Sequence, residues 1–587
     1  KKLGRDMMRS AEASQILARE QFGSRKNHQS ITAALNKRLT MDLLRQLRQA
    51  GALCSNDAKS CYDRIVHAIA SLALRRTGMP SEPVRSMFLT LQKAAHRVTT
   101  AYGISKQTYG TNLMIPYQGV GQGNGAGPAI WAVISTVIIA MMSTAGHGFH
   151  ILSAITATLL TMVCYAFVDD TDVVQSACNV EQPGEEVVPQ MQRAVDRWEG
   201  GLRATGGALV PTKSHWYLID FKWTGKIWRY RSIEEMPGDI SILDTTGQRV
   251  ILDRHEPQVA TETLGVWQAM DGNNKEQVAQ LRKKTENFAE CMRTGYLSRN
   301  DAWYAINTTI MKTLEYPMTA TTISEKDWED IMVPLLAAGL PRAGIASKFP
   351  RDVLFGPTTA QGFGVMHPWY HQQLLHIIAL LEHTQQQTMT GQLLSTSYEQ
   401  LRLEMGTSGY MTDNKYSTMK DLVTKTWITD LWAFVDKFKI KIHDDIGKLR
   451  LQRTNDRFLM NEFIIAGYHG KTLKELNECR MFLHTLTLSD IVTADGLEIS
   501  MNAWNGVQDD RGESQYQWPR IQNRLPDEHW KQWRRVIDNA FVSNGTERGL
   551  REPLLEWYDG APSHWKWYFC PAEDRLYAKE GLLWRVY

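Results

Sequence analysis

The feature of this sequence that most constrains its fold is a run of 62 residues, Gln107 to Val168, without any Asp, Glu, Lys or Arg. The run contains the apolar segment Ala132–Met142, and about 20 apolar residues would span a bilayer as a helix. Gly127–Pro128 interrupts the run, however, and Ser and Thr are frequent in it. Because the run leads directly into Asp169–Asp170, we predict a buried helix followed by a core strand, and no membrane partner.

Length, charge and cysteine content exclude several classes of protein. A chain of 587 residues is too long for one hydrophobic core, so we expect two to four domains. Lys and Arg number 66 and Asp and Glu 63, so the net charge is +3 and any nucleic-acid footprint must be local. Seven Cys without a CxxC pair argue against a disulfide scaffold and a ribbon-type zinc site. We therefore expect an intracellular protein, in the nucleus or the cytoplasm.

The first fifty residues are locally basic, with 11 Lys or Arg against 4 Asp or Glu. Apolar residues at every fourth position from Ile31 to Leu47 predict a long amphipathic helix. Its other faces carry four cations, which are interpreted either as a solvated surface or as contacts to phosphate: Lys37, Arg38, Arg45 and Arg48.

The middle of the chain predicts a sheet interleaved with helices. Cys164–Val168 and Thr171–Val174 are typical of two short strands joined through Asp169–Asp170. A helix is predicted from Pro189 to Gly206–Gly207, and another strand at Trp216–Ile219. Together with an apolar strand before Asp57, this order is that of a split βαβ sheet.

Three carboxylates are the candidate catalytic and metal-binding residues: Asp57, Asp169 and Asp170. Nucleotidyl transfer needs two divalent cations, one to activate the attacking 3′-hydroxyl and one to neutralise the leaving pyrophosphate. Mg²⁺ prefers hard oxygen ligands, with Mn²⁺ as an alternative, and a few converging carboxylates suffice to hold it. Each signal alone also fits a helix cap or a solvated turn.

The residues around these carboxylates carry a family resemblance. Six segments, in order and covering roughly residues 20 to 270, resemble motifs of reverse transcriptases from retroelements that lack long terminal repeats (LINE-like elements). They are a fingers motif at Gln21–Lys26 with Ser30, motif A at Asp57–Asp63, motif B at Gly119–Pro128, motif C at Phe167–Asp170, motif D at Gly206–Ser214 and motif E at Thr263–Val266.

The resemblance implies a role for each candidate residue. Asp57 and Asp169 would bind both metal ions, with Asp170 in support. Tyr62 would stack under the deoxyribose and exclude a 2′-hydroxyl, although a core aromatic is the other interpretation. The remaining assignments are Gln122 and Gly123 shaping the pocket of the nascent base pair, Lys213 at the pyrophosphate, and Leu264 and Gly265 positioning the primer end.

Two motifs depart from the family pattern. Gly127 stands where motif B has a serine, which makes the loop more flexible. Phe167 stands where motif C has a tyrosine, which removes a hydroxyl and keeps the ring. The family's basic triphosphate ligands lie in finger elements that would precede Lys1, so the chain is expected to be part of something longer and catalytically incomplete by itself.

The fold implied by the resemblance is α+β, a right-hand polymerase with a palm built on a split βαβ antiparallel sheet. We expect partial fingers in residues 1–50, the palm with the remaining fingers in 51–275, a helical thumb in 276–400 and a C-terminal module of unknown role in 401–587. The thumb carries candidate phosphate ligands that could equally be solvated: Arg282, Lys283, Lys284 and Arg293. In the C-terminal module, two tryptophan pairs are interpreted either as base-stacking residues or as an aromatic core: Trp530 with Trp533, and Trp565 with Trp567.

The leading functional hypothesis is an RNA-directed DNA polymerase whose partners are an RNA template, a DNA or RNA primer and deoxynucleoside triphosphates. An RNA-dependent RNA polymerase shares the metal carboxylates, but it must admit the 2′-hydroxyl that Tyr62 would exclude. A catalytically incomplete polymerase-like scaffold that binds RNA is the third hypothesis, and it has no reason to keep all three carboxylates.

Overall fold

The structure is a computed structural model, and it describes residues 2–59, 61–108, 118–224, 227–386, 388–443, 446–508, 516–522, 524–557, 567–580 and 583–586. By its internal contacts the chain divides into two compact units. The first unit comprises Lys1–Ile151 and Leu159–Leu394, and the second comprises Leu152–Thr158 and Ser395–Tyr587. The four-part domain division proposed from the sequence stays a prediction.

The α-helices have the following bounds: α1 (Lys2–Ala13), α2 (Ser30–Leu47), α3 (His67–Arg76), α4 (Ser81–Gln92), α5 (Gly127–Thr144), α6 (Gly184–Ala204), α7 (Lys275–Thr294), α8 (Arg299–Ala305), α9 (Met311–Glu315), α10 (Glu325–Arg342), α11 (Arg351–Phe355), α12 (Pro368–Thr384), α13 (Met389–Met405), α14 (Tyr416–Met419), α15 (Trp427–Lys437), α16 (Leu459–Ile465), α17 (Gly470–Phe482), α18 (Met501–Asn505) and α19 (Asp527–Phe541).

The strands have the following bounds: β1 (Gly51–Asn56), β2 (Thr99–Thr100), β3 (Gly103–Ile104), β4 (Phe149–Leu152), β5 (Leu159–Met162), β6 (Cys164–Phe167), β7 (Asp170–Ser176), β8 (His215–Ile219), β9 (Phe221–Thr224), β10 (Ile227–Tyr230), β11 (Ser241–Leu243), β12 (Arg249–Ile251), β13 (Asp253–His255), β14 (Thr261–Thr263), β15 (Val266–Gln268), β16 (Trp567–Cys570), β17 (Arg575–Glu580) and β18 (Leu583–Val586).

The first unit is built on a five-stranded sheet with the order β13-β8-β1-β7-β6. Strand β1 lies in the middle and pairs antiparallel with both β7 and β8, while β13 adds parallel to β8. The predicted strands and the predicted hairpin are therefore present, in a mixed fold of helices and strands. The central position of β1 matters because Asp57 follows directly after its last residue.

Two helices cover the sheet region and bury the apolar stretches identified in the sequence. Helix α6 packs on β1 and β7, and it begins earlier than predicted, at Gly184 rather than Pro189. Helix α5 packs against α6 and comes from the uncharged run. By length and composition α5 is the one described helix that could cross a membrane, yet 61% of it is buried inside the protein, as expected of a core helix.

The prediction that the cations of the N-terminal helix lie on a solvated or phosphate-binding face is wrong for three of the four. Helix α2 is buried along almost its whole length, and the side chains of Lys37 and Arg38 are only 1% and 4% exposed. Arg38 and Arg45 both pair with Asp42 inside the helix, and Lys37 pairs with Asp172 of strand β7. These cations are thus internal ion pairs, not a solvated or phosphate-binding surface.

The second unit has its own hydrophobic core. Phe463, Trp533 and Val536 are fully buried in that core, and the Trp533 indole N–H donates to the Ala503 carbonyl at 3.0 Å. Trp530 meets Trp533 edge to face, with the ring centroids 6.4 Å apart. The aromatic-core interpretation is confirmed for Trp530 and Trp533, and the base-stacking one is wrong for them. Of the second predicted pair, Trp567 is 54% exposed and Trp565 lies outside the described residues. All seven cysteines lie in the described part of the chain and are free thiols.

Candidate active site

The sheet brings together two carboxylates that are far apart in the chain. Strand β1 pairs with β7 so that Asn56 lies opposite Thr171, which places Asp57 beside Asp170 at the same end of the sheet. Both residues line a cavity of about 470 Å³. The same cavity wall includes Lys213 and Leu264, two further residues named from the sequence.

The turn of the Phe-Val-Asp-Asp hairpin consists of Val168 and Asp169, and Asp170 already belongs to strand β7. Among the described residues that line the cavity are Asp57 and Asp170 but not Asp169. Asp169 is near both of these carboxylates: the charge of Asp57 acts on Asp169, and the charge of Asp169 acts on Asp170. The Cys61 thiol donates a hydrogen bond to the Asp169 carboxylate. The three carboxylates are therefore near enough to influence one another electrostatically, and two of them line the cavity.

The electrostatics of this cluster are those of crowded acids. Partial burial raises the pKa of Asp169, and the charge of Asp57 adds to that effect. Partial burial, followed by the charges of Asp169 and Asp57, raises the pKa of Asp170 to about 6. Burial and the charge of Asp169 also raise the pKa of the Cys61 thiol, so Cys61 is a neutral donor. Such a cluster favours a cation among its oxygens.

Lys213 supplies one such cation. Its ammonium lies 3.2 Å from a carboxylate oxygen of Asp57, at the end of the short turn Pro211–Lys213. The backbone fixes this turn beside motif A, since the Val210 amide donates to the Asp57 carbonyl at 3.0 Å. Because the Lys213 side chain is 67% exposed, it can leave Asp57 when another cation arrives.

Tyr62 and the motif-B loop are in direct contact. Tyr62 lies in the short helical turn Cys61–Arg64, and its carbonyl accepts from the Val120 amide at 2.8 Å. A Cβ built on Gly127 would stand 3.3 Å from the Tyr62 ring, so the missing serine of motif B leaves room for this ring. The ring is half-buried and packs against the hydrophobic core of the first unit.

Gln122 and Gly123 form the tip of the same loop. The Gln122 amide donates to a carboxylate oxygen of Asp63 at 3.0 Å, which joins the loop to motif A. Gly123 has a φ of +88° and nothing within 4 Å of its Cβ position. The loop is therefore anchored at one side and open at the other, as a surface for a ligand requires.

Leu264 and Gly265 form the turn between β14 and β15. Both residues have positive φ, 51° and 81°, which is the geometry of a tight two-residue hairpin turn. The Tyr316 hydroxyl donates to the Leu264 carbonyl at 2.6 Å and lies 2.9 Å from the Ser30 hydroxyl. The hairpin is thus held in place, with Leu264 at the cavity.

Gln21 supports the carboxylate turn, a role that the sequence did not indicate. Its side-chain oxygen accepts from the Val168 amide at 3.0 Å, and its side-chain nitrogen donates to the Val168 carbonyl at 3.2 Å. Val168 has a φ of +60°, a conformation that costs a β-branched residue free energy. The side chain of Gln21 therefore holds the residue that aims Asp169 and Asp170.

The second supporting contact is the buried Lys37–Asp172 ion pair, with the ammonium 2.8 Å from the carboxylate. Lys37 also donates to the Thr263 hydroxyl at 2.6 Å, and Asp172 and Thr263 both line the cavity. Lys37 thus connects the strand of Asp170 with the hairpin of Leu264. The amphipathic pattern of helix α2 concealed this role, because a lysine in such a pattern is usually solvated.

The donor set at the cavity suits magnesium. Among the described residues, no three His, Cys, Asp or Glu side chains form a group that could hold an ion by themselves. Mg²⁺ does not require such a cage, since it usually binds one or two carboxylates and completes its shell with water and substrate phosphates. Asp57 and Asp170, both with oxygens at the cavity, match that requirement.

No protein-family model and no curated protein matches this chain. Among solved structures it is similar to a telomerase from Candida albicans in complex with a fragment of telomeric RNA, at 10% identity and a TM-score of 0.30, over 68% of this chain and 53% of that one. It is also similar to an apo telomerase from Candida tropicalis, at 9% identity and a TM-score of 0.27, over 67% of this chain and 59% of that one. The chain thus spans somewhat more than half the length of these two proteins.

Proposed function

We propose that this chain is a nucleotidyltransferase, an RNA-directed DNA polymerase of a retroelement that lacks long terminal repeats. The observation that carries the proposal is the shared cavity, whose wall holds Asp57, Asp170, Lys213 and Leu264 from four separate segments of the chain. Carboxylates, an exposed ammonium and a hydrogen-bonded hairpin at one cavity are the parts that template-directed nucleotidyl transfer requires. In this proposal the five-stranded sheet is the palm and the helices after residue 275 form the thumb.

Asp57, Asp169 and Asp170 would hold two Mg²⁺ ions. When bound, the ions would supply activation of the primer 3′-hydroxyl and neutralisation of the charge that develops on the pyrophosphate. The protein's own contribution is to hold the carboxylates near one another, and Gln21 maintains the turn that carries Asp169 and Asp170. Lys213, released from Asp57, would neutralise the triphosphate or give a proton to the departing pyrophosphate.

Selection of the sugar would depend on Tyr62. The ring stands against Gly127 at the base of the motif-B loop, so a nucleotide bound along this loop would meet the ring below its sugar. A 2′-hydroxyl would need space that the ring occupies, and deoxynucleotides would therefore be preferred. The open tip at Gln122 and Gly123 would border the nascent base pair.

The primer would be positioned by the hairpin of Leu264 and Gly265. Tyr316 and Lys37 attach this hairpin to the helical region and to strand β7, so its distance from Asp170 is fixed. Positioning of the 3′-hydroxyl within about an ångström is a large part of the rate enhancement in such reactions.

Primer extension on an RNA template with Mg²⁺ tests the proposal. We expect Asp57→Asn and the double variant Asp169→Asn/Asp170→Asn to reduce extension by at least about 10³-fold while binding of template–primer persists. Asp352→Asn, an acid-to-amide change on an exposed helix away from the cavity, is the matched control and should extend normally.

Three outcomes contradict the proposal. Extension that survives the change of Asp57 refutes the metal assignment. Extension with ribonucleotides in preference to deoxyribonucleotides would make the chain an RNA polymerase. The chain would be a binding scaffold if it binds template–primer but extends no primer, and if a version with added N-terminal residues also extends none.

A further inference from the structure

An exposed basic surface lies next to the candidate site and outside every motif named above. Residues Val66–Thr108, here called the basic segment, contain six Lys or Arg and a single acid, Glu82. Their net charge of +5 exceeds that of the whole chain, +3, so the rest of the chain is slightly acidic. The cations of helix α2, by contrast, are buried and do not contribute to an exposed basic surface.

The cations of the basic segment are exposed and unneutralised. None of the six makes a side-chain hydrogen bond or ion pair to any residue that the structure describes: Arg75, Arg76, Arg85, Lys93, Arg97 and Lys106. Two exposed cations of helix α7 differ in this respect, because Arg282 pairs with Glu286 and Arg293 with Glu290. Unpaired cations retain their full charge for a polyanion.

Exposed apolar side chains are interleaved with these cations. Along helix α4 and its C-cap residue Lys93, Arg85, Leu89 and Lys93 recur at every fourth position and so form one stripe, on which Leu89 is 44% exposed. The hairpin of β2 and β3 presents Tyr102 fully exposed, with Ile104 64% exposed. Aromatic and aliphatic side chains between cations form the pattern on which unpaired bases stack while their phosphates are neutralised.

The start of the basic segment is hydrogen-bonded to the motif-B loop of the candidate site. The carbonyl of Ile65, just before the segment, accepts from the Gly119 amide of the motif-B loop at 3.0 Å. One ring nitrogen of His67 is 2.6 Å from the Gly119 carbonyl, and the other is 3.1 Å from the side-chain nitrogen of Gln92 at the end of α4. The basic segment therefore begins beside the loop that would border the nascent base pair.

We propose that the basic segment binds the single-stranded RNA template next to the active site, through its phosphates and its unpaired bases. The proposal rests on the proposed function for the identity of the strand, and on the charge and exposure of the segment for the contact itself. The cations would contribute affinity that depends on salt, and Tyr102 would contribute stacking that does not.

Binding of a labelled 20-nucleotide single-stranded RNA, followed by fluorescence polarisation from 50 to 300 mM KCl, tests the inference. The variant Arg85→Gln/Lys93→Gln/Arg97→Gln should lower the slope of log affinity against log salt by about 2, as expected for three phosphate contacts to a single strand. Its affinity at 100 mM KCl should fall about ten-fold or more. The matched control is Lys474→Gln/Lys531→Gln/Arg535→Gln, which removes the same charge from the second unit and should leave slope and affinity unchanged.

The stacking contribution has its own pair of variants. Tyr102→Ala should lower affinity about five-fold or more with the salt slope retained, and Tyr102→Phe should bind normally. Because all these side chains are exposed, thermal unfolding of each variant should match that of the unaltered protein.

Equal slopes and affinities for the two triple variants overturn the inference. The inference is also overturned if Arg85→Gln/Lys93→Gln/Arg97→Gln loses binding to phosphatidylserine vesicles but keeps its binding to RNA, and the surface is then assigned to a membrane. Binding is measured without nucleotides, so the two proposals fail separately. If Asp57→Asn abolishes extension while both triple variants bind alike, only the template surface is wrong. If Asp57→Asn extends normally while the variants differ, only the polymerase assignment is wrong.

Discussion

The Lys37–Asp172 ion pair allows the sharpest prediction about what holds the site together. The ammonium and the carboxylate are 2.8 Å apart, and their side chains are 1% and 5% exposed. At that distance and an effective dielectric constant of about 20, their attraction is roughly 6 kcal/mol, most of which offsets the cost of removing both charges from water. The net gain is therefore small, whereas the loss of one partner leaves a buried charge uncompensated.

We expect Lys37→Met to lower the free energy of unfolding of the first unit by about 3–5 kcal/mol. The double variant Lys37→Met/Asp172→Asn should recover most of that loss and unfold within about 1–2 kcal/mol of the unaltered protein. Lys37→Met should also loosen the hairpin of Leu264, because the Thr263 hydroxyl loses its donor.

The measurement is hydrogen exchange in increasing urea, read on peptides that cover β1 and β7. These peptides report on the first unit alone, so unfolding of the second unit does not enter the free energy. If the losses of Lys37→Met and Asp172→Asn simply add in the double variant, the two side chains are not coupled and the reasoning is refuted.

Four further predictions follow from single contacts. Tyr62→Val should raise incorporation of ribonucleotides relative to deoxyribonucleotides about ten-fold or more in single-nucleotide kinetics, and an unchanged ratio removes Tyr62 from the sugar pocket. Gln21→Ala should leave the Val168 amide without its partner, while the carbonyl keeps the Trp131 indole N–H, at a cost of about 1–3 kcal/mol, so the turn should exchange faster and kcat should fall with template–primer affinity retained. Gly265→Val forces a side chain into positive φ at 3.2 Å from the Tyr316 ring and should destabilise the hairpin by about 1–3 kcal/mol, visible as faster exchange of β14 and β15. Burial lowers the pKa of His376 to about 4, below that of an unfolded histidine, so the unfolded state takes up the proton first; about 2 kcal/mol of stability present at pH 7 should be lost by pH 5, and His376→Gln should lose correspondingly less.

The sequence predicted the sheet around the carboxylates because several weak signals coincide there. Cys164–Phe167 and His215–Ile219 are short apolar runs bounded by turn residues, and each forms a strand close to its predicted position. The buried face of helix α6 was also predictable, because Met191, Val195, Trp198 and Leu202 recur at helical spacing and all are buried.

Long-range contacts between polar side chains were not predictable from spacing. Nothing near Gln21 in the sequence indicates that it hydrogen-bonds Val168, which lies 147 positions later. Lys37 occupies a position that an amphipathic helix normally exposes, and only the approach of strand β7 makes it a buried partner of Asp172. The basic segment was not predictable as a surface either, because six single cations scattered over 43 residues form no sequence motif.

The contacts of the Gln21 region have a consequence for self-association. Strand β6 is the last strand of the central sheet, and the outer side of an edge strand is a ready template for pairing with another chain. Here the Phe22 amide donates to the Ala166 carbonyl at 2.7 Å, and the Ala166 amide donates to the Glu20 carbonyl at 3.1 Å. The N-terminal segment thereby caps that margin, and copies of this chain that aggregate through backbone pairing would have to do so somewhere else.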